Sequence, residues 1–251
     1  MSDVIDQIMM KHHSVRKFKN EPLSKETVKK LVEAGQRAST SSYLQTYSII
    51  GITDPEIKKA LREISGQPYV EESGYLFVFV MDYHRQDLIN NEVEQNLQSS
   101  FESAEGLLVG TIDVALVAQN ISIAAESLGL GMVYLGSLRN DVARVKELLN
   151  LPEYTFPLFG MALGVPADDE NGSPKPRLPF EAVFHENGYN QNDDEELGYI
   201  KDYDKEVSAY YDKRTNGERK ETWSEQIAQF LTMKERADML DELHNSGFIK
   251  K

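Results

Sequence analysis

Residues 104–128 carry the longest helical pattern in the chain, and it is apolar nearly all round, through Leu107, Leu108, Ile112, Leu116 and Ile123. A helix of this kind has little to offer water. Its expected place is the core, and in an oligomer the same surface can line a subunit interface. Asp113 and Glu126 interrupt it, and the charge-free run between them, residues 114–125, is shorter than the ~20 residues that cross a bilayer. The rest of the fold must therefore supply its cover.

That cover is legible as strands and further helices. Residues 75–81 are a continuous apolar run of strand length, expected at the centre of a sheet with both faces covered. Residues 47–52 and 156–164 read as strands, and the chain enters another after Gly129 and Gly131. Helical spacing predicts a short helix through Val4, Ile5, Ile8 and Met9, and one from an N-cap at Ser24 through Val28, Leu31, Val32 and Ala38. Further helices are expected over 55–64, 142–149, 203–211 and 223–243. Residues 84–105 read as a polar surface helix or loop, with no function assigned.

Composition limits the partners. The 251 residues include 27 Lys and Arg against 41 Asp and Glu, a net charge of −14. Nucleic acids and anionic membranes bind basic faces, so neither is an expected partner. There is no cysteine, which excludes disulfides, a dithiol redox pair and thiolate metal sites. Redox chemistry would need a bound cofactor. The first dozen residues carry Asp3 and Asp6 without a continuous apolar run, and a soluble cytoplasmic protein is expected.

Against this acidic background, cations gather in three places. His12, His13, Ser14 and Arg16 combine imidazoles, a hydroxyl and a guanidinium within five residues, an inventory suited to a phosphate dianion. Lys175 and Arg177 sit on a stretch stiffened by Pro174, Pro176 and Pro179. Residues 213–220 hold Lys213, Arg214, Arg219 and Lys220 against one acid. Each also reads as an ordinary solvated loop. Ser39, Thr40, Ser41 and Ser42 favour a turn over helix interior, and Gln67 in the turn at 66–68 can both donate and accept. The glycines at 129, 131 and 136 mimic a dinucleotide fingerprint, but the run follows a helix and enters a strand, the reverse of the order that motif needs.

Taken together, the His12 to Arg16 segment, the 39–45 loop, Gln67, residues 129–137, Lys175 to Arg177 and Arg214 to Trp223 resemble, in order, the FMN-dependent nitroreductase family, in its NADPH-dependent nitroreductase/flavin reductase branch. The resemblance implies an α+β fold: a central, mainly antiparallel sheet flanked by helices, in an intertwined homodimer. It implies an FMN-binding core over residues 1–186 and a C-terminal excursion over 187–251 within the same domain, with an NADPH-contacting loop. It assigns noncovalent FMN to His12, His13, Ser14, Arg16, Ser41, Ser42, Gln45, Gln67, Tyr134, Gly136, Ser137, Lys175 and Arg177, the serine loop reaching the flavin of the partner subunit. Arg214 and Arg219 fall where the branch clamps NADPH. The implied activity is a ping-pong transfer from NADPH through FMN to nitroaromatics, quinones or free flavins, with no catalytic side chain and no metal. A flavin-binding or redox-sensing module without turnover, or an NAD(P)H oxidase using oxygen, is the alternative.

Overall fold

The structure, a computed structural model, describes residues 3–233 and 236–250. By compactness the chain forms two units: Met1–Gly172 with Arg236–Lys251, and Ser173–Glu235. The boundary expected after residue 186 falls earlier: the second unit begins at Ser173, and the C-terminal residues return to the first.

The first unit is built on one sheet of four strands, β1 (Tyr47–Ile52), β2 (Tyr75–Asp82), β3 (Gly131–Leu135) and β4 (Thr155–Gly164), in the order β1-β2-β4-β3. Every pairing is antiparallel, as expected. Strand alternation explains the run at 75–81. Phe77, Phe79 and Met81 pack on one face with Val114, Val117 and Ile121 of the long helix, Ala104–Ser127. Leu76, Val78 and Val80 pack on the other with Leu61 and Ile64 of the Pro55–Ser65 helix. Both sets are fully buried, each side chain contributing roughly 1.5–3 kcal/mol. Phe248, near the end of the chain, is also buried in the first of these cores.

Caps and turns match local chemistry. Ser24 Oγ accepts from Thr27 N and starts the Lys25–Gly35 helix, which stops short of the expected Ala38. Asp54 caps the Pro55–Ser65 helix, and Gly66 ends it at φ +68°, a conformation that favours glycine. Residues 84–105 hold two short helices, His84–Asn90 and Gln98–Phe101, the second burying Phe101.

Two expectations change. The long helix is not covered all round: Leu108, Ile112 and Leu116 are 58%, 54% and 45% exposed, one stripe at i, i+4, i+8. The pattern expected over 223–243 is divided, with Trp223–Met233 helical, Arg236 outside any helix and Met239–Asn245 helical again.

In the second unit the helix expected at 203 already begins at Asp193 and runs to Arg214. Asn192 caps it, and Asp193, Asp194, Glu195 and Glu196 in its first turn complement the helix dipole. Tyr203, Val207 and Tyr211 form this unit's own small core with Leu178 and Trp223.

Candidate functional site

The His12–Arg16 segment is held from three sides. Val15 N donates to Met132 O of β3 at 2.9 Å, and the buried Val15 side chain lies where a Cβ on Gly131 would stand, 2.5 Å from its Cγ2. Only glycine lets the segment approach β3 this closely. Downstream, Phe18 bridges to Pro166, and Lys19 N donates to Val165 O. On the third side stands Glu170, whose Oε2 accepts from Arg16 N and Lys17 N, both at 3.0 Å, while Oε1 accepts from Gly172 N at 2.8 Å. Burial pushes the Glu170 carboxyl up, but these three N–H donors and the nearby His13 outweigh it and hold it below the usual carboxylate range.

His13 and Val15 line one small cavity with Lys11, Glu126, Gly131, Glu170 and Gly172. Arg16 is exposed, and its Nη1 donates to Ser14 O at 3.3 Å. His12 Nδ1 lies 2.6 Å from Glu126 Oε1, at the end of the long helix. The His13 ring packs at Gly172, where an added Cβ would lie 2.4 Å from His13 Cδ2.

The serine loop is anchored from within. Ser41, Ser42 and Gln45 are exposed, and Ser42, Tyr43 and Gln45 have positive φ of 49°, 61° and 53°, a strained region for non-glycine residues. Asp113, fully buried on the long helix, holds it: Oδ1 accepts from Ser41 N at 2.8 Å, and Oδ2 from Thr46 N at 3.2 Å and Thr46 Oγ1 at 2.8 Å. The acid that merely interrupted an apolar run is the loop's brace.

Tyr134 leaves β3 partly exposed, its ring edge-on to Phe159 and its hydroxyl donating to Gln119 Oε1 at 3.3 Å. Burial, reinforced by the Glu126 charge, pushes its phenol up to about 12, so it stays neutral. Gly136 and Ser137 follow in a tight turn, Gly136–Asn140. Arg236 secures that turn from the C-terminal segment, Nη2 donating to Gly136 O at 3.3 Å and Asn140 Oδ1 at 3.0 Å. A Cβ on Gly136 would meet nothing nearer than Arg139 Nη2 at 3.4 Å, so packing within the chain does not demand glycine there. Gln67 is half-buried beyond Gly66, its N–H donating to Ser65 Oγ at 3.1 Å.

The second unit gathers the other cations around two adjacent tyrosines. Lys175 Nζ stands 5.8 Å, and Arg219 Cζ 4.3 Å, from the Tyr211 ring centre. Arg214 lies 5.9 Å over Tyr210 and donates to its hydroxyl at 3.1 Å. Arg177 folds back on its own loop, donating to Lys175 O at 2.8 Å, and Tyr203 ties that loop down through Pro176 O at 3.0 Å. Lys175 and Arg177 border a cavity of about 660 Å³ floored by Tyr203, Tyr211, Trp223 and Phe230. Clusters some forty residues apart in sequence thus become one cationic, aromatic patch.

The description "Nitroreductase family" matches residues 9–165, and "Nitroreductase family, C-terminal domain" matches residues 175–251. The chain belongs to the nitroreductase family. A relative in Staphylococcus haemolyticus named NADPH-dependent oxidoreductase is 68% identical over the whole of both chains. Among solved structures, the NfrA1 nitroreductase of B. subtilis superposes with a TM-score of 0.95 at 46% identity, covering 99% of this chain and 100% of that one. An NADPH:FMN oxidoreductase from Vibrio harveyi, solved with NAD+, gives 0.86 at 40% identity with the same coverage. The α+β fold with its antiparallel sheet is the nitroreductase fold.

In this nitroreductase, sequence reasoning misses Asp113, Glu126, Glu170 and Arg236, which fix the segments around the candidate residues. Asp113 carries a signal, a lone acid within an apolar helix. The others have none, because each acts on a residue a hundred or more positions away.

Proposed function

We propose that this nitroreductase is a cytoplasmic, NADPH-dependent flavin oxidoreductase that works as a homodimer with noncovalent FMN. The observation that carries the reading is the fixing of the His12–Arg16 backbone by β3 and Glu170, in a segment that holds an imidazole, a hydroxyl and a guanidinium close together. These donors suit a phosphate and the polar edge of a flavin; each charge-assisted bond contributes roughly 1.5–3 kcal/mol. Arg16 is the first candidate for the N1/C2 edge, where a cation favours the reduced, anionic ring. Gln67 suits the uracil-like edge. Gly136 and Ser137 offer backbone N–H groups to N5, and the free space at Gly136 fits that close approach. By the same reading Lys175 and Arg177 serve FMN, and Ser41, Ser42 and Gln45 serve the flavin of the partner subunit. His13 is assigned to the flavin with them, beside the cavity it lines with Glu170 and Gly172.

When bound, FMN supplies the redox chemistry, taking hydride from NADPH and reducing nitroaromatics, quinones or free flavins in a ping-pong cycle. The protein's own residues bind and orient; none is assigned as general acid or base. Support for the nicotinamide comes from the names of the S. haemolyticus and V. harveyi relatives and from Arg214 and Arg219 on the tyrosine pair. The exposed stripe of Leu108, Ile112 and Leu116 supports the dimer.

The purified protein is expected to show flavin absorption bands, or to acquire them with FMN, and NADPH is expected to bleach them without oxygen. A protein that stays colourless in FMN would end the proposal, and bound flavin that NADPH cannot bleach would reduce the protein to a binding module. Arg16→Ala is expected to weaken FMN about 10–100-fold, read by quenching of flavin fluorescence. Arg214→Ala is expected to raise the KM for NADPH at least tenfold while leaving that for NADH nearly unchanged; equal effects on both would remove the argument for recognition of the 2′-phosphate.

A further inference from the structure

Among the candidate residues, His12 has a partner that none of the flavin reading requires. Glu126 Oε1 lies 2.6 Å from His12 Nδ1, across 114 residues of sequence, and the glutamate side chain is only 15% exposed. Glu126 is also the next-to-last residue of the long helix. That is where the helix dipole disfavours a carboxylate and favours a cation. An acid in this position gains from an imidazolium beside it, and the ring gains twice, from the carboxylate and from the helix end. Bonding at Nδ1 places Nε2 on the edge of the imidazole away from Glu126, by the geometry of the ring.

We propose that Glu126 is a positioning residue, its carboxylate accepting a hydrogen bond from the Nδ1–H of His12, with the proton kept on the ring, so that a cationic imidazole presents its Nε2–H to the phosphate of the flavin. The inference rests on the reading of His12 and Ser14 as the phosphate-binding groups. Among the described residues, titratable groups near the pair include Tyr134 on β3, Lys11 and His13 on the N-terminal segment, and Glu170 beyond them. Tyr134 stays neutral to about 12, and Lys11 is engaged by Gln7 through Nζ at 2.6 Å. His13 is the neighbouring imidazole, so the test has to separate the two histidines.

The test compares FMN with riboflavin, which has the same ring and no phosphate, by fluorescence quenching on the flavin-stripped full-length protein between pH 7 and 8.5. The wild-type protein is expected to hold FMN far more tightly than riboflavin across this window. Glu126→Gln keeps a hydrogen-bond acceptor at Nδ1 and removes the charge; it is expected to lower the FMN-to-riboflavin ratio about tenfold at pH 8, leaving riboflavin unchanged. His12→Gln should lower the ratio at least as far, and adding Glu126→Gln to it should do nothing more, whereas His13→Gln should leave the Glu126→Gln effect in place. An undiminished ratio in Glu126→Gln, with His12→Gln still impaired, overturns the role of Glu126 and spares the phosphate reading. Undiminished ratios in both His12→Gln and Ser14→Ala overturn the phosphate reading itself. A second measurement needs no variant. The ¹⁵N shifts of the His12 ring in the FMN-loaded wild-type protein should be those of an imidazolium at pH 7.5, and a neutral ring there overturns the proposal.

Discussion

Glutamate at both Ile112 and Leu116 is expected to convert a dimer into folded monomers. The two side chains are 54% and 45% exposed, one turn apart, on a helix whose other side packs on the sheet, with Leu108 completing the stripe. A monomeric protein that left this stripe in water would carry a standing invitation to associate. In the proposed dimer a two-fold interface doubles every substitution, so the variant would place four carboxylates where four apolar side chains would meet. Burying an unpaired carboxylate costs several kcal/mol, and about 1.4 kcal/mol is tenfold in Kd. Association should weaken by more than three orders of magnitude, read as a fall to the mass of one chain by light scattering. The fold itself should survive, because Val114, Val117 and Ile121 on the other side of the helix remain buried against β2. The monomer should also lose retained FMN, since the serine loop would no longer reach a partner's flavin. An unchanged dimer would move the interface elsewhere.

Asp113→Ala is the other large effect. The substitution strands Thr46 N and Oγ1, in a residue that is fully buried, and frees Ser41 N at the start of the strained loop. An unsatisfied buried polar group costs about 1–3 kcal/mol, so a loss of roughly 3 kcal/mol is expected, a fall in Tm of about 6–12 °C for a chain of this size. Three non-glycine residues at positive φ are kept there only by their surroundings. Without the carboxylate the loop should relax, seen as faster hydrogen exchange over residues 41–46. Asp113→Asn, which retains one carbonyl acceptor, should lie between the two. A change below about 1 kcal/mol, with exchange unaltered, would show that the loop is held by something else.

Much of this architecture is legible in the order of the residues. The two-sided strand at 75–81 and the strands beside it follow from runs and periods a few residues long. So do the Ser24 cap and the Gly66 stop, because the forces that set them act within one turn or one strand. The order of the cation clusters along the chain is enough to suggest the family. The start of the Asp193–Arg214 helix is equally local, in Asn192 and the four acids after it, but apolar periodicity hides it because that pattern begins only near Tyr203. Nor can helix periodicity tell which side of the long helix stays bare. That depends on how much of its girth the sheet covers, and Leu108, Ile112 and Leu116 fall outside that cover.

The sequence by itself determined the elements, the antiparallel sheet's central strand and the kinds of side chain available to hold an anion. Tertiary structure alone decided their pairing: Asp113 with the serine loop, Glu170 with the backbone of Arg16, Glu126 with His12, Arg219 with Tyr211. Each of these contacts is short in space, and all but the last join residues far apart in sequence. Hydrogen bonds and ion pairs depend on distance and angle between groups that only the folded backbone brings within 3 Å or so, and no local pattern records that meeting.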